Sequence, residues 1–240
     1  MTALKTFYTL FKTEAKLAIR GGDMLLFAVA MPVGIMFLIG CVSAPETVRS
    51  AFSGVACVGI CAAGFMGIPL TLSGYRYEKV LKRFKVTPVS PGMLLAADTA
   101  LQFLFAAVSA VLVWLAARFG FGVKIADGAR FVATFLFSVC AVFSLGACIG
   151  AVVPDVKTAN VVTSLIYFPS LFLSGATVPY AIMPRGLQAF SNVFPLTQVI
   201  KLLDNAAAGL PVSADILRIG ILLPVTVAAF ALSVKLFKWE

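Results

Sequence analysis

Apolar residues form six long runs, near 24–42, 52–74, 94–117, 129–153, 159–178 and 216–236. Each is long enough to cross about 30 Å of hydrocarbon as a helix. Lipid offers no partner to an unpaired backbone amide, so helices are the natural spanning form. The runs are too continuous for a β-barrel, whose strands alternate over about ten residues. The strip 187–200 is also apolar, but Asn192, Pro195 and Gln198 interrupt it. It reads as a re-entrant or interfacial segment.

The pattern differs at the amino end. In residues 2–20, Leu4, Phe7, Tyr8, Phe11, Ala15 and Ala18 share one helical face, and Lys5, Thr9, Lys12 and Lys16 share another. That predicts a basic amphipathic helix lying in the membrane interface or packed on protein. Gly21-Gly22-Asp23 ends it. The fold class expected is an all-α membrane protein with six transmembrane helices behind an interfacial helix.

Composition agrees. Of 240 residues, 61% are hydrophobic and only 12% charged, whereas a soluble domain carries about 25% charged residues. The net charge of +9 does not form the continuous basic face that nucleic acid requires. Twelve of the 19 basic residues fall at the two ends of the chain and in the second and fourth gaps between runs, and seven fall in the other gaps or at their edges. The positive-inside rule then puts both termini in the cytoplasm of a multi-pass cell-membrane protein.

Catalytic chemistry finds little support. Histidine is absent, which removes the commonest acid–base group and metal ligand. The ten acidic residues sit mostly in gaps or at run ends, and Gly-Lys never occurs, so there is no phosphate-binding P-loop. The five cysteines lie in or beside apolar runs and read as small buried side chains. Asp98 sits a few residues into the third run, four before Gln102. A proton-driven carrier places a carboxylate at membrane depth, but stabilisation of a helix amino terminus or local hydrogen bonding is the plainer reading.

Small residues predict close packing. Gly59, Ala63 and Gly67 recur every four positions in the second run, as do Gly146 and Gly150 in the fourth. Pro32, Pro169 and Pro224 predict bends in the first, fifth and sixth. The densest charge lies between the second and third runs, where residues 75–86 read YRYEKVLKRFKV. That stretch can form a short helix flat beneath the membrane, stopped at Thr87 because Pro88 disfavours helix before it. Its basic face suits lipid head groups or a cytoplasmic protein.

With EKVLKRFKVTPVSP at 78–91, and FPSLFLSGATVPYAIMPRGLQAFSNVFPLTQVIKLL at 168–203, the chain resembles the membrane permeases of bacterial and archaeal ABC-2 type exporters. Many relatives carry Gly and then Thr-Leu-Glu after the acidic residue of the loop, where this chain has Lys79, Val80, Leu81 and Lys82. The resemblance covers essentially the whole chain and implies a single transmembrane domain over 1–240. It implies a homodimer paired with two copies of a separate ATP-binding subunit, no cofactor or catalytic residue in this chain, and ATP bound only by the partner. Glu78, Lys79, Lys82, Arg83, Thr87, Pro88 and Ser90 would form the coupling surface for that ATPase. Gly175, Pro179, Pro184 and Pro195 would shape a re-entrant outer segment, and spans one, two and five would border the substrate path and dimer seam. Phe dominates the aromatic set, with 21 against 5 Tyr and 2 Trp. That is compatible with a small hydrophobic compound, drug or lipid-like cargo, and equally with ordinary lipid-facing surface. Two other readings stay open: a secondary transporter driven by an ion gradient, and a non-transporting membrane scaffold or assembly factor.

Overall fold

The computed structural model describes residues 3–80, 90–177, 180 and 183–237. Every regular element among them is a helix. Helix α1 is Ala3–Gly21. Six helices are long and apolar enough to cross a membrane: α2 (Leu25–Val42), α3 (Pro45–Tyr77), α4 (Gly92–Gly120), α5 (Gly128–Val152), α6 (Val156–Leu173) and α9 (Ser213–Leu236). Two shorter helices, α7 (Arg185–Ser191) and α8 (Pro195–Ala208), fill the interval before α9.

Helix α3 is the centre of the bundle. In its most apolar window 89% of residues are buried, against 17% for α2 and for α9. It packs against α2, α4, α5, α6 and α8. Its glycines allow this. A β-carbon on Gly146 of α5 would lie 1.9 Å from the Gly64 carbonyl oxygen, and one on Gly54 would lie 2.6 Å from the Gly175 carbonyl oxygen. The small-residue spacing in the second and fourth runs therefore serves packing within the chain.

Prolines coincide with local widening of two spans. Leu25–Ala30 and Ala62–Gly67 are π-helical, and Pro32 and Pro69 stand two positions after their last residues. Proline has no N–H for the carbonyl four residues back, and a π-turn absorbs the defect. The Ala28 carbonyl that Pro32 cannot use abuts Gly59 of α3. Pro169 and Pro224 lie inside α6 and α9, as the sequence indicated.

The second span is longer than expected, beginning at Pro45 rather than near 52 and ending at Tyr77. Tyr75, Arg76 and Tyr77 continue α3, and the rest of the short helix expected over 75–86 lies, from residue 81 on, outside the described residues. The fifth span is shorter and stops at Leu173. The strip 187–200 is neither continuous nor a span: a turn after Ser191 divides α7 from α8. Cys57 and Cys61 are buried as expected, but Cys41 and Cys140 are exposed on their helices.

Helix α1 lies against α4. Phe11, Ala15 and Ala18 turn toward the core, while Leu4, Tyr8, Leu17 and Ile19 remain exposed. The single apolar face read from the sequence is thus split, with one stripe on the bundle and another left for lipid.

Candidate functional site

Contacts sort the connections into two ends. At one, α1 packs on α4, and the end of α3 meets the end of α5 and Phe237 through Arg76. At the other, the backbone N–H of Ala126, after α4, donates to the Ala207 carbonyl of α8 at 2.9 Å.

The first end carries the residues singled out for coupling. Helix α3 closes with the Glu78 N–H donating to Gly74 at 2.9 Å and the Lys79 N–H donating to Arg76 at 3.1 Å. Lys79 adopts φ of 56°, a left-handed conformation that costs a non-glycine residue about 1–2 kcal/mol. Tyr77, Glu78 and Lys79 are exposed at this turn. Ser90, also exposed, sits at the N-cap of the helix that becomes α4, without a side-chain capping bond. Lys82, Arg83, Thr87 and Pro88 lie outside the described residues, as does Pro179.

Arg76 is not part of a solvent-facing basic face. Its guanidinium donates to the carbonyls of Val153, Gly150 and Ala151 at the end of α5. It also lies 5.7 Å from the Phe237 ring centroid. A cation on the last carbonyls of a helix satisfies orphan acceptors and opposes the helix dipole. One side chain thus joins α3, α5 and the end of α9. Asp155 starts α6 at this same end, its carboxylate accepting from the Thr158 N–H at 2.9 Å and the Thr158 hydroxyl at 2.8 Å. These bonds hold its pKa below the ordinary Asp value.

Between α1, α3 and α4 lies a buried polar cluster. Asp98 is 2% exposed and stands nearly two turns into its helix, beyond the reach of helix-terminus stabilisation. Of the two readings from sequence, local hydrogen bonding holds: Gln102 Nε2 donates to Asp98 Oδ1 at 3.4 Å. Glu14 of α1 and Tyr75 of α3 face the same place. Burial raises the pKa of Glu14, and the Tyr75 hydroxyl opposes that rise.

The opposite end is knit by a second polar group. Asp215 of α9, 1% exposed, pairs with Arg130 of α5 and accepts from Asn205 of α8 at 2.7 Å. Nearby, Ser53 of α3 donates to Asp204 at 3.4 Å. Burial raises the Asp204 pKa, and Ser53 and Arg49 oppose that rise. Gly175, with φ of 93°, sits just past the end of α6 and touches Gly54. Pro184 precedes α7, and Pro195 opens α8.

Phe37 and Leu38 of α2 and Leu165, Phe168 and Phe172 of α6 point outward, as do Leu217, Val227 and Phe230 of α9, and the Tyr167 hydroxyl of α6 reaches the Met31 sulfur of α2 at 3.8 Å. Among the described residues no group of histidine, cysteine and acidic side chains could hold a metal ion.

A bundle of six membrane-length helices around one enclosed helix, with an amphipathic helix docked at one end, is the architecture of a multi-pass membrane protein. The chain matches the ABC-2 type transporter family over residues 5–206, and it belongs to that family. Members of that family are membrane permease components of ABC-type systems, non-catalytic themselves and paired with a cytoplasmic ATPase subunit. A stretch of 95 residues is 32% identical to Nodulation protein J of Rhizobium leguminosarum bv. viciae, covering 40% of this chain and 37% of that protein.

Proposed function

We propose that this chain is the membrane-spanning permease of an ATP-driven exporter. Its six spans act as one transmembrane domain with both termini in the cytoplasm. Two copies form the substrate path, and each engages one copy of the ATPase. Glu78, Lys79 and Ser90, with the intervening Lys82, Arg83, Thr87 and Pro88, form the surface that the ATPase pushes.

The observation that carries this reading is helix α3. It runs for 33 residues, about 50 Å at 1.5 Å per residue, with the π-helical stretch Ala62–Gly67 within it. It ends in the exposed Glu78–Lys79 turn, and its far half touches Gly175. A displacement applied at the turn travels along a rigid, enclosed rod to the segment where Gly175, Pro184 and Pro195 break the chain into short helices. That segment, α7 and α8, serves as the re-entrant outer gate. The apolar faces of α2 and α6 supply the dimer seam. α3 has almost no outward face, so it supports the path from behind. The cargo class that fits such apolar walls is a small hydrophobic or lipid-like compound.

The test is Glu78→Lys in the complex reconstituted into vesicles. Export that depends on ATP is expected to be lost while membrane insertion stays normal. Unchanged export removes Glu78 from the coupling surface. Export that survives inactivation of the partner ATPase favours an ion-driven carrier, and complex formation without flux favours a scaffold.

A further inference from the structure

Helices α4 and α5 are consecutive in the chain, yet each packs on other helices more than on its neighbour. Between their halves nearest the 121–127 connection lies an open groove of about 580 Å³, a volume ordinary for a ligand pocket. On α4 its wall is Ala107, Ala110, Val111 and Trp114, at spacings that put them on one side of the helix. The two alanines give the groove its depth, because a methyl group leaves the space between the helices unfilled. Phe131 and Phe135 of α5, both 8% exposed, close the floor. Phe131 is itself fixed by stacking on Phe52 of α3, with ring centroids 5.6 Å apart. Val111 and Val132, at the rims, are more than half exposed, so the groove opens toward hydrocarbon.

Charge enters the groove at one end only. Arg118, in the π-helical last turn of α4, and Lys124 of the connection line its mouth together with Gly128 at the start of α5. The connection is tied back to α4, the Gly122 N–H donating to the Arg118 carbonyl at 3.2 Å and the Val123 N–H to that of Ala117 at 3.0 Å. Gly122, at φ of 70°, supplies the left-handed reversal this requires. No acid lines the groove. Asp127 caps α5, accepting from the Arg130 N–H at 2.9 Å. Glu46 and Asp204 share a neighbouring cavity with Lys124, but among the described residues both ion pairs are made by Asp215. The polar side chains in the lining, Trp114, Arg118 and Lys124, carry donors and no acceptor, and the positive end of the α5 dipole adds to them. Farther along the same two helices, a cavity of about 860 Å³ bordered by α9 has no charged residue in its lining. An apolar trough that ends in cations, beside a tryptophan of the kind found at head-group depth, matches an anionic amphiphile.

We propose that the groove between α4 and α5 binds one anionic phospholipid from the leaflet at this end, with its phosphate on Arg118 and Lys124 and one acyl chain laid along Ala107, Ala110 and Phe135. The lipid chain supplies the packing that the two helices do not give each other. A zwitterionic lipid fits less well, because its ammonium finds no acceptor in a mouth made of donors. The site uses neither the α2 and α6 faces nor the Glu78–Lys79 turn, so it stands or falls independently of the export reading.

The test uses the full chain carrying Trp239→Phe, which leaves Trp114 as its sole tryptophan, in phosphatidylcholine vesicles. Chain-brominated phosphatidylglycerol is titrated in, and chain-brominated phosphatidylcholine in a parallel series, because bromine quenches an indole it touches. Phosphatidylglycerol is expected to reach half-quenching at a membrane fraction about 25-fold lower, each cation near the surface contributing a factor of about five. Arg118→Gln together with Lys124→Gln should abolish that preference. Ala110→Phe keeps both cations but fills the trough, and it should abolish the preference as well. The charge variant changes two exposed side chains, so it decides the matter even where Ala110→Phe does not fold. A native preference below about fivefold, the share of a single cation, would overturn the proposal. So would a preference that survives the double substitution, or one untouched by Ala110→Phe, which would mean head-group attraction without a seat for the chain.

Discussion

Gly146→Ala tests the packing of the bundle with a single methyl group. The added carbon would lie 1.9 Å from the Gly64 carbonyl oxygen and 2.8 Å from its carbon, where an ordinary contact begins near 3.4 Å. The backbones of α3 and α5 must therefore part by about 1.5 Å. No side-chain rotation relieves the clash, because the obstructing atoms are main chain. Overpacking of this kind costs about 1–3 kcal/mol, offset by about 1 kcal/mol from alanine's better helix propensity. With α3 held at its end by Arg76, a net loss of about 2 kcal/mol, the upper end of what remains after that offset, is expected. Gly220→Ala in α9 is the matched control, since nothing lies within 4 Å of its added carbon and only the propensity gain of up to about 1 kcal/mol remains. Equilibrium unfolding in mixed detergent micelles reads both. If Gly146→Ala proved as stable as the native chain while Gly220→Ala behaved as stated, the close approach of α3 to α5 would be wrong.

Arg76→Gln should destabilise the same pair of helices by about 2 kcal/mol, allowing for the partial exposure of the guanidinium, and Arg76→Lys should recover little because an ammonium cannot fork across several carbonyls; recovery by lysine in the same unfolding assay would point to charge alone. Asp155 has a folded pKa below its ordinary value of 3.8, so its contribution to stability is present above that value and is lost as pH falls through the lower folded one. Comparing the acid limb of a stability–pH curve with that of Asp155→Ala should show a shallower decline in the variant, and identical limbs would deny the cap its role.

The sequence pattern was sufficient for the six spans because each is a long apolar run, and hydrocarbon thickness imposes that length. It was insufficient for the ends of α3. Glu46, Thr47, Arg49 and Ser50 are polar enough to read as a connection, yet they form the first turns of the helix. Arg76 was read as part of a basic loop because its partners are backbone carbonyls, which leave no mark in a sequence. Arg130 was one more basic residue by the same logic, although its partner Asp215 lies 85 positions away. Asp98 looked close to an interface because only its own run was visible. The fold lays α1 over it, and the burial comes from a segment more than eighty residues earlier in the chain. Glu78, Lys79 and Ser90, proposed for coupling, were legible as part of a connection between spans, and all three are exposed.

The guanidinium of Arg76, the contact between Gly64 and Gly146, and the joint interface of α3 and α5 with α8 fasten two neighbouring helices at three heights. Such a pair is a chassis: it resists both sliding and rotation of one member past the other. On the proposed export reading, alternation between open and shut forms pivots about this beam, with α2 and α6 as the swinging panels.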